Sequence, residues 1–293
     1  MDFKAYLEYL KNEKGMAENT LKAYYLDLLA FEKELNEKGI YDINGINNTE
    51  IVAYILKLKN QGKSASTSNR KIASIRMYYN YLSKIGVISE NPTDNIKVPK
   101  VAKKSIAYLE MAEMNRIFEA TDETPKGIRD KAILELIYAT GIRASEVVET
   151  RLTDVNLRMG FVMCSGPQAR ARVVPFGRHA REALGKYISE ARPALLKEAH
   201  DDEYLFLNRS GQRLSRQGLW KIMGEYTEKC GLEQKLTPQL LRNSFAVHML
   251  QNGADIKAMQ EMLGHEDLAT TQAYLAVTKS KIKDVYDRAH PRK

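Results

Sequence analysis

Leu236-Thr237-Pro238-Gln239-Leu240-Leu241-Arg242-Asn243, followed by Leu263-Gly264-His265 and then by Thr270-Thr271-Gln272-Ala273-Tyr274, is the stretch around which the chain is organised. Thr237 before Pro238 has the form of an N-cap followed by a first-turn proline, which predicts a helix running to Asn252-Gly253. Arg242 then lies inside a helix that otherwise carries Leu240, Leu241, Phe245, Val247 and Leu250, where an unpaired charge is costly. That arginine calls for an anionic partner. Gly264 reads as the residue just past the next short helix, so His265 is delivered at a defined turn. Tyr274 follows on a further helical segment. A tyrosine hydroxyl is a poor nucleophile at its usual pKa of ~10, so it must ionise as it attacks, with cations nearby to neutralise the product. An Arg, a His and a Tyr in this order suit the handling of a phosphodiester.

Composition agrees with that reading. The 293 residues suggest two domains at about 150 residues each, and 44% hydrophobic residues suffice for real cores. A net charge of +8 and a pI near 9.2 favour an anionic partner, although a membrane surface or a ribosomal contact would fit the charge alone. No apolar run is long enough to span a bilayer, and Met1-Asp2-Phe3-Lys4 opens no signal peptide, so the expected setting is the cytoplasm, with no membrane partner. Cys164 and Cys230 are too few for a disulfide framework or a zinc site and read as packed thiols.

Working outward to the N-terminus, Phe3, Tyr6, Leu7 and Leu10 recur at helical spacing, ending near Lys14-Gly15. Asn19 or Thr20 caps a second helix, Asn48-Thr49-Glu50 opens a third, and a fourth runs from about Ser66 to Lys84. Four helices with short polar joints predict a small all-α domain. Lys63, Ser66, Thr67, Arg70, Lys71 and Arg76 cluster at the start of the fourth helix, where hydroxyls, amides and cations can meet phosphates; a capped helix with a solvated face is the alternative. A Pro-containing basic segment, Lys97-Val98-Pro99-Lys100 to Lys104, then reads as a linker. The expected organisation is residues 1–97, a linker over 98–109, and a second domain over 110–293.

In that second domain a helix through Ile133 and Ile137 ends at Gly141, Arg143 follows, and Ser145-Glu146 start another helix. Taken alone, Arg143 is equally a helix-end cation or a surface ion-pair member. Gly160 to Cys164 and Arg172 to Phe176 are β-type runs that predict a hairpin. Ser215, Arg216 and Gln217 open a later helix as groove or phosphate contacts, unless Ser215 simply caps. His179, His200, His248 and His290 are assigned to packing or surface.

Thr140-Gly141-Ile142-Arg143-Ala144-Ser145-Glu146, Leu263-Gly264-His265-Glu266-Asp267-Leu268 and Thr270-Thr271-Gln272-Ala273-Tyr274 together resemble the tyrosine site-specific recombinases, in particular the bacterial Xer type. The similarity extends to Phe3-Lys4-Ala5-Tyr6-Leu7 and Ala17-Glu18-Asn19-Thr20-Leu21. It implies a mainly α fold, with an N-terminal four-helix SAM-like core-binding domain and a mostly helical catalytic domain holding a small β-sheet. It implies double-stranded DNA as partner, with the two domains closing on the duplex and protomers assembling into a synaptic tetramer, the segment around Ile282, Val285 and Tyr286 docking on a neighbour. It makes Arg143 and Arg242 the phosphate clamp, His265 a phosphate or proton contact, and Tyr274 the nucleophile. Lys63, Ser66, Thr67, Arg70, Lys71, Arg76, Arg170, Arg172, Ser215, Arg216 and Gln217 become candidate DNA contacts. No metal or other cofactor is required, because a phosphotyrosyl ester stores the bond energy.

The sequence departs from the family pattern at two catalytic positions. Pro167 stands where the hairpin turn normally carries a general-acid lysine, and no Lys occurs from Arg151 to Gly185. Gln239 stands where the motif has His, and Asn243 where a second His is common. An amide bonds a phosphate oxygen but moves no proton, and each lost proton-transfer role typically costs ~10²–10⁴ in rate. Two readings stay open: a recombinase with weakened proton transfer, or a DNA-binding regulatory or architectural protein on the recombinase scaffold. A strand-nicking topoisomerase is a weaker third.

Overall fold

The computed structural model describes residues 3–97, 105–166, 169–196 and 203–275. The chain forms two compact units, Met1–Lys104 and Ser105–Lys293. Pro167, Gln168 and the segment around Ile282, Val285 and Tyr286 lie outside the described residues, as does the basic stretch 98–104.

The first unit is built from α1 (Lys4–Asn12), α2 (Glu18–Glu37), α3 (Asn48–Asn60) and α4 (Ala65–Lys84). Apolar residues at helical spacing meet in one core containing Phe3, Tyr6, Phe31, Ile51, Ile72 and Tyr79. The Tyr79 hydroxyl donates to the carbonyl of Ile43, which satisfies a polar group deep in that core. The helix starts differ slightly from the expected ones. Ala17 is the N-cap of α2, without a side-chain bond, and Asn47 caps α3 by accepting from Thr49 N–H at 2.7 Å.

The second unit surrounds α6 (Pro125–Thr140). Thr124 caps it and Pro125 occupies its first turn. Ala132, Ile133, Leu134, Leu136 and Ile137 are all buried, as are the charged Arg129, Asp130 and Glu135, so α6 is enclosed on most of its circumference and forms the centre of the unit. Around it lie α5 (Met111–Glu119), α7 (Ala144–Glu149), α8 (Arg178–Lys186), α9 (Arg192–Leu196), α10 (Arg216–Lys229), α11 (Pro238–Gln251) and α12 (Ile256–Leu263). A π-helical turn, Tyr187–Ala191, joins α8 to α9. The expected hairpin is present as β2 (Phe161–Gly166) against β3 (Ala169–Pro175), pairing Val162 with Val174 and Cys164 with Arg172. A short strand absent from the sequence reading, β1 (Val155–Asn156), extends it to three antiparallel strands in the order β1-β2-β3. Among the described residues no helix is long and apolar enough to cross a membrane. The mainly α class with a small sheet is as the sequence implied.

Candidate active site

Two helix ends build the site. Helix α6 ends at Gly141 with φ 60° and α12 ends at Gly264 with φ 60°, so both chains turn sharply through the left-handed region that glycine tolerates. At Gly141 a Cβ would stand 2.6 Å from Phe245 Cδ1 and 2.8 Å from Leu263 Cδ2, so the turn also needs the missing side chain. Each turn frees backbone carbonyls at a helix C-terminus, which carry the negative end of the helix dipole.

Arginines occupy those carbonyls. Arg242, on α11, is only 3% exposed; it donates through Nη1 to Gly141 O and through Nη2 to Leu263 O at 2.6 Å. Arg143 donates from Nη2 to Gly264 O. The partners shown for Arg242 are thus neutral oxygens and a ring nitrogen rather than the anion its burial called for, and the site keeps its positive charge. Burial and the neighbouring Arg143 lower the Arg242 guanidinium to about 10, which still leaves it charged at neutral pH.

Arg143 is itself the N-cap residue of α7. Its backbone N–H donates to Glu146 Oε2 at 2.8 Å and its Nη1 to Glu146 Oε1 at 3.2 Å. Glu146, 2% exposed, also takes a bidentate pair from Arg172, at 2.7 Å and 2.9 Å. Burial pushes this carboxyl up, but the hydrogen bonds from Arg172 and the Arg143 N–H, with both charges, hold it below the ordinary glutamate value. Arg172 also donates from Nε to Met262 O at 2.7 Å. Its guanidinium therefore braces β3 against α7 and α12.

His265 accepts at Nε2 from Arg242 Nη2, 2.9 Å away, because a guanidinium only donates. The ring proton must then sit on Nδ1, which donates to Thr271 Oγ1 at 2.9 Å. Burial, followed by the charges of Arg242, Arg143 and Arg172, lowers the imidazole to about 4, so it is neutral at physiological pH. The His265 ring lies nearly parallel to that of Tyr274, at 4° with centroids 6.4 Å apart.

Tyr274 lies in the helical stretch 268–275 and is buried. Its hydroxyl donates to Asn243 Oδ1 at 3.0 Å. Burial raises its pKa, partly offset by the charge and hydrogen bonding of Arg242 and the charge of Arg143. Gln239, exposed, donates from Nε2 to the same Asn243 oxygen at 2.8 Å, while Asn243 Nδ2 donates to Ala107 O at 2.9 Å.

The remaining sequence candidates make other contacts. In the first unit Arg70 and Lys71 both bind the buried carboxylate of Asp27, Arg76 donates to Ile96 O at 2.8 Å, and Ser64 caps α4 with Thr67 beside it. Lys63 and Ser66 are exposed near the same helix start. In the second unit Ser215 caps α10 by accepting from Gly218 N–H at 3.0 Å, with Arg216 and Gln217 exposed beside it, and Arg170 lies on β3. His248 packs against Tyr138, Nδ1 to hydroxyl 2.9 Å. Among the described residues no group of three or more His, Cys, Asp or Glu is arranged to hold a metal ion. Glu146 and Thr271 stand in the sequence motifs without a role of their own; Glu146 at three residues after Arg143 is the capping-box spacing that signals its bond to the Arg143 N–H.

Residues 107–281 match the phage integrase family, and residues 3–86 match the phage integrase N-terminal SAM-like domain. The chain belongs to the phage integrase family, that of the tyrosine recombinases. Among its relatives, the tyrosine recombinase XerD of Oceanobacillus iheyensis is 42% identical over 98% of this chain and 97% of its own. The XerD of Listeria monocytogenes is 40% identical, with the same coverage of 98% and 97%. The crystal structure of XerA recombinase is similar at 25% identity, TM-score 0.56, covering 98% of each chain. XerH site-specific recombinase bound to palindromic difH substrate shares the fold at 21% identity, TM-score 0.76, over 96% of this chain and 82% of that one.

Proposed function

We propose that the chain is a site-specific recombinase acting on double-stranded DNA, with Tyr274 as nucleophile. The phenol oxygen attacks a backbone phosphorus, giving a 3′-phosphotyrosyl link and a free 5′-hydroxyl; the hydroxyl of a partner strand reverses the step. Arg143 and Arg242 hold the non-bridging oxygens, where preorganised positive charge is typically the largest contribution to rate. His265, neutral and with the Nε2 lone pair turned to Arg242, accepts a proton there and bonds a phosphate oxygen once it carries that proton. The N-terminal unit grips DNA, the basic segment between residues 98 and 109 joins the two units along the duplex, and protomers assemble as a synaptic tetramer. The setting is the cytoplasm.

The observation that carries this reading is the connected set from Arg143 through Gly264 and His265 to Arg242, with Tyr274 stacked on the histidine. A suicide duplex nicked near the crossover tests it. Covalent protein is expected from the wild type and none from Tyr274→Phe; equal trapping in both, or none in either, rejects it.

A second reading, a non-cleaving DNA-binding protein on the same scaffold, is favoured by the amide of Asn243 on the phenol, with Gln239 bonded to it, and by Pro167 where the family pattern carries a lysine. Its signature is an inert wild type in which Pro167→Lys with Gln239→His creates cleavage.

A further inference from the structure

The amide of Asn243 is fixed from both ends. Its Nδ2 donates to Ala107 O at 2.9 Å, and its Oδ1 receives Gln239 Nε2 at 2.8 Å. Turning the amide over would set two carbonyl oxygens against each other at Ala107, whose backbone oxygen can only accept, so one orientation is selected, and the exposed Gln239 amide follows it. Toward Tyr274 Asn243 therefore presents an oxygen, and the contact at 3.0 Å requires the phenol to donate. With the proton committed there, the phenol oxygen keeps its lone pairs for the hydrogen bond of Arg242, whose charge and that of Arg143 also act on it.

We propose that Asn243 is the positioning residue of the nucleophile: its locked amide oxygen holds the Tyr274 proton, aims a lone pair at the Arg143 and Arg242 clamp, and keeps the phenol neutral until DNA is bound. An amide oxygen is too weak a base to take the proton away. The proton therefore passes to the neutral His265 as the oxygen–phosphorus bond forms and the phosphorus–O5′ bond breaks, the departing 5′-oxygen takes up a proton to become the free hydroxyl, and the hydrogen bond to Asn243 is broken in that step. A histidine at this position would offer a ring nitrogen able to accept the proton, whereas the amide oxygen of Asn243 can only hold it.

This inference rests on Tyr274 as nucleophile, but its test is read on the free full-length chain and needs no cleavage. With 3-fluorotyrosine placed at position 274, its ¹⁹F resonance is followed against pH in the wild type, Asn243→Ala and Asn243→Asp. Removing an acceptor that favours the neutral phenol moves the Asn243→Ala titration to lower pH, raising the ionised fraction at a fixed pH by roughly two- to tenfold, the factor of an ordinary hydrogen bond. Asn243→Asp has nearly the same shape and keeps an acceptor, but adds a negative charge, so it moves the titration to higher pH. Opposite displacements establish the role. Displacement of both variants in the same direction, as general loosening would produce, or of neither, overturns it. If Asn243→Ala does not fold, the direction of Asn243→Asp alone decides. Trapping on the suicide duplex fails or succeeds separately from this titration.

Discussion

Glu146→Gln is the perturbation that probes the site most directly. The wild-type carboxylate neutralises Arg172, whose side chain is 9% exposed, and organises Arg143, whose side chain is 34% exposed. Removing one partner of a buried ion pair costs ~3–5 kcal/mol, because the other charge stays buried. Arg172 retains its bond to Met262 O, and an amide oxygen remains to accept from the Arg143 N–H, so the low end applies. The half-exposed Arg143 adds little, since solvent-screened pairs contribute ~0–1 kcal/mol. The expected loss is about 3 kcal/mol. The chain's single tryptophan, Trp220, lies on α10, so its fluorescence during urea unfolding reports the second unit alone. Glu146 has a folded-state pKa below its unfolded one, so its contribution is complete above the ordinary glutamate value of ~4.3 and is lost as pH falls through the lowered value. The stability gap between wild type and variant therefore narrows on acidification in that window. A gap below about 1 kcal/mol at neutral pH, or one that widens in acid, would refute the role of Glu146 as the neutralising centre.

Gly141→Ala is expected to destabilise the second unit by about 3 kcal/mol, combining left-handed backbone strain with a Cβ pressed on Phe245 and Leu263; urea midpoints check it, and a change under about 1 kcal/mol contradicts it. Histidine ¹⁵N spectra should show His265 as the Nδ1–H tautomer, neutral until the pH approaches about 4, whereas a midpoint near 6.5 would mean that the arginines do not act on it. Because its folded value lies below its unfolded one, His265 contributes stability above pH ~6.5 that is lost as pH falls toward about 4, and His265→Gln should flatten that part of the stability profile. Arg242→Lys cannot span Gly141 O, Leu263 O and His265 Nε2 at once, so covalent trapping should fall by ~10²-fold or more; a loss under tenfold contradicts the fork geometry.

Much of the site was legible because its supports are local. Thr237 before Pro238, and the glycines at 141 and 264, announce helix ends within a few residues, and those ends bear Arg242, Arg143 and His265. Long-range pairing was not legible in the same way. Arg70 and Lys71 read as phosphate contacts or a solvated face at a helix start, with no sign that both reach Asp27, more than forty residues away in sequence. Arg172 read as a DNA contact and proves to be tied to Glu146 and Met262 O. No spacing rule reveals such partners, since they depend on how helices and strands pack. Likewise β1 has two residues, too short for any periodicity.

The arginines are moored on main-chain oxygens at Gly141, Leu263 and Gly264. Every residue type supplies a peptide carbonyl, so mutation of the side chains at these turns cannot remove the anchors so long as the helices still end there. The moorings of the proposed phosphate clamp thus depend on where two helices end, through Gly141 and Gly264, and not on neighbouring side-chain groups, while the proposed proton-handling positions Gln239 and Asn243 are side chains themselves. On the proposed reading, substitutions at Gln239 and Asn243 retune or silence strand cleavage while the arginines keep their hold on the DNA backbone.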